Sequence, residues 1–416
     1  MRMMLVGAGA VGESILKILK VRDPEKSWLS YVLVCDYDFE RAKEVVEKLN
    51  GDDRFKAAKV DATNTKEMTD LIKEHRIDFV MDGAPPFASD RIFDAAFETG
   101  ASYGSMGTWS VPMDEPTFGL GVENSYSQVM TRYNFDRHEA WKEKGNMAII
   151  CMGIDPGVVN VFTKYAATEL LDEITEVHVK DGGNLSIPGS DPNSITFGFN
   201  VWTVLDEVMN PNVEFDADKG GFIVDKPFTG QETFLMPEGV GENTLVKVEH
   251  EETVTFPRYL TQYGLKKATF KINLDENLIT ALKVLDKLGL RNIHPVQVGD
   301  VKVVPRDVVA ACAPQPKDLG DEMQGMMLVG VHCIGKKDGK HKEYFIYQPF
   351  DNQESMKTWG SQAVVAQTGF GAALSIELVG KGIWKEEGVY SPEYFDPKPY
   401  LELMDESGFV WKVLEI

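Results

Sequence analysis

The chain has 416 residues, of which 26% are charged and 43% hydrophobic, and this balance is typical of a globular protein rather than a disordered or fibrous one. Its length predicts two to three domains. The formal net charge of −22 disfavours nucleic-acid binding, which needs a basic surface. An acidic protein can attract a cationic substrate such as an amine, although solubility alone also accounts for the charge.

Targeting and redox features predict a cytoplasmic protein. The N-terminus runs directly into a strand and a glycine turn without a cleavage-type segment. No apolar run approaches the roughly 18 residues needed to span a membrane. The cysteines lack C-x-x-C spacing and lie in apolar or strand-like contexts, so we expect buried free thiols in a reducing compartment at Cys35, Cys151, Cys312 and Cys333.

Residues 1–104 alternate short apolar runs with helical patterns. This alternation predicts an α/β fold with a Rossmann-type doubly wound parallel sheet and helices on both faces. Residues 106–145 break the rhythm with prolines and aromatic residues, and we expect them to lie over the carboxyl edge of the sheet, where ligands bind. The predicted strands are 3–6, 31–35, 56–60, 78–82, one from 101, and 148–152; the helices are 13–21, 38–49, 65–75 and 89–99.

From about Asp155 the pattern changes to that of a second α+β domain with a mixed sheet. Segments 326–334 and 342–348 are typical of a hairpin, with Asp338-Gly339 as its turn. An apolar helix rich in small residues, 361–382, should pack closely on another element. The remaining predicted strands are 173–180, 230–236, 244–250 and 266–273, with helices at 158–170 and 275–289.

A G-x-G-x-x-G motif follows the first strand and opens the first helix. In it Gly7 allows a tight turn, Gly9 lets the backbone approach a pyrophosphate, and Gly12 lets helix and strand pack closely. The helix N-terminus, with Ala10 and Val11, offers unpaired N–H groups to phosphate. An acidic residue, Asp36, ends the next strand 24 positions after the last glycine, so the context predicts dinucleotide binding.

Three further features bear on the cofactor. Asp36 favours NAD, because a carboxylate accepts from the ribose 2′-OH and repels a 2′-phosphate, whereas the nearby Arg41 leaves NADP open. Asp61 and Ala62, at the end of the third strand, would border the adenine, with a helix-capping role for Asp61 as the alternative. The turn after the fourth strand should lie beside the pyrophosphate and nicotinamide, or else be a rigid loop, and it contains Gly83, Ala84 and Pro85.

Two polar clusters are candidates for the chemistry. Asp155 precedes Pro156 and could cap the following helix, hold an ammonium group, or do both. His250 stands among carboxylates in Glu249-His250-Glu251-Glu252, which should raise its pKa and allow proton exchange near neutral pH. Arg258 could bind a substrate carboxylate, with a solvated charge run as the alternative for the whole cluster. No paired histidine or cysteine spacing is present, so we predict no metal.

The sequence resembles the saccharopine dehydrogenase-like family over nearly its whole length. This group includes saccharopine reductases, carboxynorspermidine dehydrogenases and lysine 6-dehydrogenases. The resemblance rests on GAGAVG at 7–12, GIDPGVVNVF at 153–162, PEGVGENTLVKVEHEETVTFPR at 237–258, LGLRNIHPVQVGDVKVVPRDV at 288–308, GSQAVVAQTG at 360–369 and DPKPYLELM at 396–404.

The resemblance implies a Rossmann domain over 1–155, completed by 355–416, and a substrate-binding and dimerisation domain over 156–354. It implies a cytoplasmic homodimer that oxidises or reduces a C–N bond of an amino-acid or polyamine derivative with NAD or NADP. Alternatives are a lysine 6-dehydrogenase, which the long 106–145 loop disfavours, and a non-catalytic nucleotide-binding protein.

Within this reading each candidate residue has an expected role. His250 would exchange the proton of the reacting nitrogen, and a group that does so should titrate near the working pH. Asp155 and Glu251 would hold a cationic nitrogen, and Arg258 would bind the amino-acid carboxylate. Trp109 and Asn200 would line the pocket.

Overall fold

The computed structural model of the chain describes residues 1–191, 195, 199–313 and 320–416. The elements of the first part are β1 (Arg2–Val6), α1 (Ala10–Arg22), β2 (Tyr31–Asp36), α2 (Phe39–Lys48), β3 (Phe55–Lys59), α3 (Thr65–Glu74), β4 (Phe79–Asp82), α4 (Pro86–Thr99), β5 (Ser102–Ser105), β6 (Val111–Pro112), β7 (Tyr126–Gln128), α5 (Arg132–Phe135), α6 (His138–Glu143) and β8 (Met147–Ile149).

The second part begins with a helix that ends in one π-type turn, Ala166–Leu170. Its elements are α7 (Val158–Tyr165), β9 (Glu173–Gly183), α8 (Val201–Met209), β10 (Asn212–Asp216), β11 (Gly221–Asp225), β12 (Glu232–Met236), β13 (Gly241–Lys247), α9 (Glu252–Leu260), β14 (Lys267–Asn273), α10 (Glu276–Lys287), β15 (Val296–Val298), β16 (Val301–Val303), α11 (Pro305–Cys312), β17 (Met326–Lys337), β18 (Lys340–Asp351), α12 (Asn352–Trp359), α13 (Ala363–Gly380), β19 (Gly388–Tyr390), α14 (Lys398–Ser407) and β20 (Lys412–Glu415).

Within the described residues, a seven-stranded sheet has the order β19-β8-β5-β4-β1-β2-β3, and every pairing in it is parallel. Its central strands are continuous apolar runs such as Met3–Val6, which are buried because helices cover both faces. From β1 the chain proceeds to β2 on one side, and β4 lies on the other. The carboxyl ends of β1 and β4 therefore flank the switch point at which such sheets bind ligands. The predicted Rossmann-type sheet is confirmed.

The last part of the chain returns to both sheets. β19 is the seventh strand of the parallel sheet, whereas β20 pairs with β18 in the other sheet. α13 packs against α1, and its glycines allow close contact, since a Cβ at Gly369 would lie 2.4 Å from Ser14 Oγ. This helix has 18 residues and a mean hydropathy of 1.4, enough in length and composition for a membrane span. Because 83% of it is buried inside the protein, we assign it to the core.

The second sheet is mixed, as the sequence predicts. Its described strands follow the path β11-β10-β14-β9-β17-β18-β20, with the β12–β13 hairpin attached to β14. β9 and β14 are parallel, and the other pairings are antiparallel. The long β17–β18 hairpin turns at Asp338 and Gly339, whose φ values of 51° and 74° are those of the two-residue turn expected there.

The cysteine prediction holds for three of the four thiols. Cys35, Cys151 and Cys333 are buried and unpaired in strands or beside them. Cys312 is unpaired but exposed, which contradicts the prediction. It occupies the final position of α11, where the helix turns its last residue toward solvent.

Candidate active site

A cavity of about 1330 Å³ extends from the carboxyl edge of the parallel sheet to the inner face of the mixed sheet. One end is lined by the glycine turn after β1 and by the turn after β4. The other end is lined by residues of β9, α8 and the segment between β13 and α9. Both predicted clusters therefore open into one space, with the nucleotide end at the switch point.

The three motif glycines are required for three different reasons. Gly7 has φ of +102°, and a Cβ there would lie 2.4 Å from the carbonyl oxygen of Gly83. A Cβ on Gly12 would lie 2.2 Å from the carbonyl oxygen of Gly7. A Cβ on Gly9 would meet nothing within 4 Å, so this position faces open space in front of the α1 N-terminus. Ala10 and Val11 begin that helix and also line the cavity, an arrangement that suits a diphosphate.

Asp36 lines the same end of the cavity. Its Oδ2 accepts a hydrogen bond from Ala8 N at 2.8 Å, and its Oδ1 accepts one from Asp38 N at 3.0 Å. Arg41 also lines it, but this guanidinium donates to the Ala8 carbonyl at 2.8 Å and to Glu13 at 2.7 Å. The geometry fits a dinucleotide, because the carboxylate of Asp36 lies where the ribose would bind. The nearby guanidinium of Arg41 is already bound by Glu13 and by the Ala8 carbonyl.

The remaining cofactor candidates divide into two groups. Ala62, Gly83, Ala84 and Pro85 line the cavity. Asp61 is not among the described lining residues, and its Oδ1 accepts from Thr63 N at 2.9 Å in the turn before α3. That turn directs the carboxylate to solvent, so the structure does not bring Asp61 to the adenine end. It is not the helix cap either, because Asn64 occupies that position.

A buried carboxylate, Asp82, lies directly before the Gly83 turn. It accepts from the Ala84 amide and from the Tyr103 hydroxyl, both at 2.9 Å. Burial raises the pKa of Asp82 to about 6. The sequence analysis did not select this residue, although an aspartate that ends a fully apolar strand is a usable signal.

His250 is buried at the inner wall of the cavity. Its Nδ1 lies 2.5 Å from Glu252 Oε2, its Nε2 lies 3.9 Å from Glu207 Oε1, and its ring stacks on Phe270 with centroids 3.6 Å apart. Burial acts to lower the pKa of His250, but Glu252, Glu207 and Asp155 outweigh it and raise that pKa well above its ordinary value. This is the direction that the sequence context predicts.

Asp155 is a buried carboxylate whose pKa is raised well above its ordinary value, and Asp181 stands close enough to contribute to that shift. Burial is the largest cause of the raised pKa of Asp155, and the charge of Asp181 is the next. Both residues line the cavity, and Asp155 Oδ2 and Asp181 Oδ1 find no hydrogen-bond partner among the described residues. A buried carboxylate oxygen without a partner is costly unless a cation or donor meets it.

The structure removes one alternative for Asp155. Helix α7 begins at Val158, and its cap is Gly157, whose amide donates to Asn160 Oδ1 at 2.7 Å. The carboxylate of Asp155 therefore does not cap this helix and is left facing the cavity.

Glu251 lies between two loops. Its Oε1 accepts from the Thr108 amide at 2.6 Å and from the Thr108 hydroxyl at 3.2 Å. Glu251 lines the cavity and thus joins the segment after β5 to the N-terminus of α9. Glu251 Oε1 is therefore occupied by the hydrogen bonds from Thr108 and is not available to bind a nitrogen of a ligand.

The predicted substrate-binding residues are not all at the cavity. Trp109 and Asn200 line it, and Asn200 Oδ1 also caps α8 by accepting from Trp202 N at 2.9 Å. Arg258 is exposed and is not among the described lining residues; its guanidinium carbon lies 4.1 Å from the centre of the Phe135 ring. Arg258 lies away from the cavity because it is on helix α9, which starts at Glu252. Six residues along a helix rotate the side chain of Arg258 by about 240° around the helix axis from that of Glu252.

The substrate end is strongly acidic. Among the described lining residues beyond the nucleotide end, nine are carboxylates, and Arg41 and His250 are the only basic residues of the whole lining. Asp206 is bound by Arg306, which does not line the cavity and lies over Trp202 at 4.8 Å. The acidic set includes Asp155, Asp181, Asp206, Glu207, Glu249 and Glu251.

Sequence reasoning missed several of these groups. Asp181 continues the inward-facing row of Val177 and Val179 on β9, and a carboxylate in an apolar row is a detectable signal. Glu207 lies on α8, a helix that was not predicted, so nothing in the sequence analysis pointed to it.

One group of donor atoms has a spacing that could suit a metal ion. His250, Glu251 and Glu252 place ligand atoms within 4.8 Å of one another. His250 and Glu252 already bind each other, and Glu251 is bound by Thr108.

Comparisons with known proteins agree with this geometry. Two family models match the chain: saccharopine dehydrogenase NADP binding domain over residues 3–149, and saccharopine dehydrogenase C-terminal domain over residues 153–409. A carboxyaminopropylagmatine dehydrogenase of Synechocystis sp. is 27% identical over 411 residues, which are 99% of this chain and 96% of the relative. A carboxynorspermidine synthase of Vibrio cholerae is 27% identical over 425 residues, covering 100% of this chain and 97% of the relative.

A solved structure shows the same fold. The apo saccharopine dehydrogenase (L-Glu forming) from Saccharomyces cerevisiae matches with a TM-score of 0.68 and 14% identity, covering 100% of this chain and 99% of the other. The two family models identify the chain as a member of the saccharopine dehydrogenase family, whose enzymes are nicotinamide-dependent oxidoreductases acting on C–N bonds.

Proposed function

We propose that the protein is a dehydrogenase for a carboxylated polyamine, in which the bond oxidised or formed joins a carbon to a secondary amine. The observation that carries this proposal is the acidic lining of the substrate end, with nine carboxylates among its described residues and His250 as the only basic side chain there. A substrate with two or more ammonium groups would find a partner for each of them. The names of the two curated relatives, which contain carboxynorspermidine and carboxyaminopropylagmatine, support this substrate class.

The same lining disfavours two other substrates of the family. Saccharopine carries three carboxylates, which an acidic wall repels. Free lysine carries one ammonium beside its own carboxylate and one on its side chain, and so small a molecule would leave most of a cavity of about 1330 Å³, and most of the carboxylates that line it, without a partner. A long polycation fits both the charge and the size of the cavity.

The residues divide the chemistry between them. The nicotinamide, when bound, supplies the hydride chemistry at carbon. Asp155 and Asp181 hold the cationic nitrogen beside His250, using the carboxylate oxygens that lack partners. His250 exchanges the proton of that nitrogen, and Glu252 fixes its ring by binding Nδ1. Phe270 is stacked on the imidazole and limits the tilt of the ring.

We further propose NAD as the preferred cofactor. Asp36 offers its carboxylate at the cavity end where the ribose would lie. Arg41, the cation that could bind a 2′-phosphate, is held by Glu13 and by the Ala8 carbonyl. A phosphate at this position would have to compete with both contacts.

The test is a substrate screen with the purified protein, following nicotinamide absorbance with NAD and with NADP. Carboxynorspermidine and carboxyaminopropylagmatine should be oxidised, and saccharopine and lysine should react at least tenfold more slowly in kcat/KM. Rapid NADH formation from lysine alone would refute the polyamine proposal in favour of a lysine 6-dehydrogenase. Cofactor binding without turnover of any of these amines would refute it as well.

A further inference from the structure

One buried carboxylate at the substrate end takes no part in the chemistry described above. Glu249 lies directly before His250, in the segment between β13 and α9, and it lines the cavity although it is only 5% exposed. Its Oε2 accepts a hydrogen bond from Asn210 Nδ2 at 2.7 Å, whereas its Oε1 has no hydrogen-bond partner among the described residues. A buried carboxylate oxygen without a partner is costly unless a cation or a donor meets it.

The surroundings of Glu249 leave room for such a cation. Burial raises the pKa of Glu249 to about 8, against the opposing effects of Asn210 and of the nearby hydroxyls of Ser110 and Tyr126. The Tyr126 hydroxyl donates its proton to the Pro211 carbonyl. Ser110 lines the cavity, and its hydroxyl oxygen can accept a hydrogen bond from a ligand. An ammonium group in contact with Glu249 would stabilise the charged form of this carboxylate.

The carboxylate that neighbours Glu249 is already neutralised. After burial, Asp206 is the neighbouring charge that contributes most to the raised pKa of Glu249. Both oxygens of Asp206 are bound by the guanidinium of Arg306. Asp206 therefore has no free oxygen to offer to a ligand, and Glu249 is left as the acceptor in this part of the cavity.

Glu207 connects Glu249 to the place of the reacting nitrogen. Burial raises the pKa of Glu207 to about 8, and this carboxylate interacts with the charges of both His250 and Glu249. Its Oε1 lies 3.9 Å from His250 Nε2, and its backbone carbonyl accepts from the Glu249 amide at 3.0 Å. For Asp155, by contrast, the leading influences on the pKa are burial and the charge of Asp181. The carboxylates thus extend from the reacting nitrogen through Glu207 to Glu249.

We propose that Glu249 binds a terminal primary ammonium group of the substrate, at the far end of the chain that carries the reacting secondary amine. This inference rests on the proposed function and names the residue that selects the end group of the polyamine. The free Oε1 of Glu249 accepts one N–H of the ammonium group, and the Ser110 hydroxyl accepts a second.

The hydrogen bonding of Glu249 favours an ammonium group over a guanidinium. A guanidinium binds a carboxylate best through two parallel N–H···O bonds, which need both oxygens. Arg306 binds Asp206 in this way, but at Glu249 one of the two oxygens is already occupied by Asn210. An ammonium group is a compact charge with three rotatable donors, so a single free oxygen is enough for it.

The experiment compares three substrates with the full-length protein, following nicotinamide absorbance in the oxidative direction. Carboxynorspermidine ends in a primary ammonium group, and carboxyaminopropylagmatine ends in a guanidinium. The third substrate is an analogue of carboxynorspermidine in which hydrogen replaces the terminal ammonium group. Wild type should have a kcat/KM for carboxynorspermidine that is severalfold above that for the guanidinium substrate and about tenfold above that for the analogue.

Glu249→Gln keeps the shape of the side chain but removes its charge. It should lower kcat/KM for carboxynorspermidine by roughly 10- to 100-fold, the range for a hydrogen bond to a charged group, and should change that for the analogue by less than about threefold. Glu249→Asp should recover part of the loss. Unchanged cofactor affinity and an unchanged unfolding temperature should show that the fold is intact.

Glu242→Gln is the matched control. Glu242 is exposed on β13 and is not among the described lining residues, so all three kcat/KM values should stay at those of wild type. Equal losses for carboxynorspermidine and the analogue in Glu249→Gln would overturn this inference and leave the proposed function in place. A wild type that prefers the guanidinium substrate would overturn it as well. No turnover of any of the three substrates by wild type would refute the proposed function and this inference together.

Discussion

The carboxylate of Glu252 lies 2.5 Å from Nδ1 of His250, and Glu252 itself is fully buried. The negative charge in this position raises the pKa of the imidazole and fixes which nitrogen faces the cavity. Glu252 touches no part of the expected substrate position directly, so we describe it as a positioning residue.

Glu252→Gln should therefore lower kcat and also shift the dependence of kcat on pH. Without the carboxylate the pKa of His250 falls, so the ascending limb of kcat against pH in the oxidative direction should shift to lower pH. We expect kcat to decrease by about 10- to 100-fold, within the range for a disturbed acid–base group. Glu252→Asp should recover part of both effects. An unshifted profile with a lower kcat would indicate a purely structural role.

Asp181→Asn should weaken amine binding. The substitution keeps the shape but removes the charge opposite the ammonium group, and a hydrogen bond to a charged group is worth about 1.5–3 kcal/mol. KM for the amine should rise by roughly 10- to 100-fold, with the dissociation constant of the cofactor unchanged. Arg258→Ala is the control, because Arg258 is exposed and outside the described lining. A larger effect of Arg258→Ala than of Asp181→Asn would reverse this assignment.

Gly9→Ala and Gly12→Ala should separate binding from folding. The added methyl at position 9 meets no protein atom, so the protein should unfold at the wild-type temperature but bind the dinucleotide at least tenfold more weakly. The methyl at position 12 would lie 2.2 Å from the Gly7 carbonyl oxygen and should cost about 1–3 kcal/mol of stability. Titration of cofactor fluorescence and thermal unfolding measure the two effects. Equal cofactor affinity in wild type and Gly9→Ala would place the diphosphate elsewhere.

Asp36→Asn should shift cofactor preference towards NADP by about tenfold, because it removes the repulsion of a 2′-phosphate while keeping an oxygen that can accept from Ala8. Arg41→Ala should leave the ratio of kcat/KM values for NAD and NADP nearly unchanged. If wild type prefers NADP and Arg41→Ala abolishes that preference, then Arg41 leaves Glu13 to bind the phosphate.

Asp82→Asn should alter how stability depends on pH. The pKa of Asp82 is raised by burial from 3.8 to about 6, so the folded state binds a proton more tightly than the unfolded chain. The contribution of Asp82 to the free energy of unfolding is therefore fully present below about pH 4, declines as the pH rises to about 6, and is absent above that pH. The difference corresponds to at most about 3 kcal/mol. Denaturant unfolding at pH 4.5 and pH 8 should show a smaller decline in the variant than in wild type.

Local patterns predicted the first sheet well. Apolar runs such as Met3–Val6 are continuous because both faces of a parallel sheet are covered, and this pattern can be read without knowing what covers them. The Asp338-Gly339 turn was equally predictable, since positive φ at two successive positions selects such residues.

The substrate end was predicted only in part. Asp181, Glu207 and His250 come from a strand, a helix and a loop that are distant in sequence, and no local pattern shows that they meet. His250 was selected because its carboxylate neighbours are adjacent in sequence. Arg258 was assigned to the same cluster because its distance along the sequence is short, but the helix that starts at Glu252 turns it outward.

Helix α13 holds two distant parts of the molecule at once. A Cβ at Gly369 would strike Ser14 on α1, and one at Gly371 would lie 2.1 Å from the carbonyl oxygen of Gly153, just before the turn that carries Asp155. Helix α1 and the loop that bears Asp155 thus both pack against α13, which lies more than 200 residues later in the sequence than either of them. During synthesis on the ribosome, α1 and the loop that bears Asp155 therefore cannot complete their packing until α13 has been made. Because these contacts join residues that are distant in the sequence, we expect the protein to fold slowly.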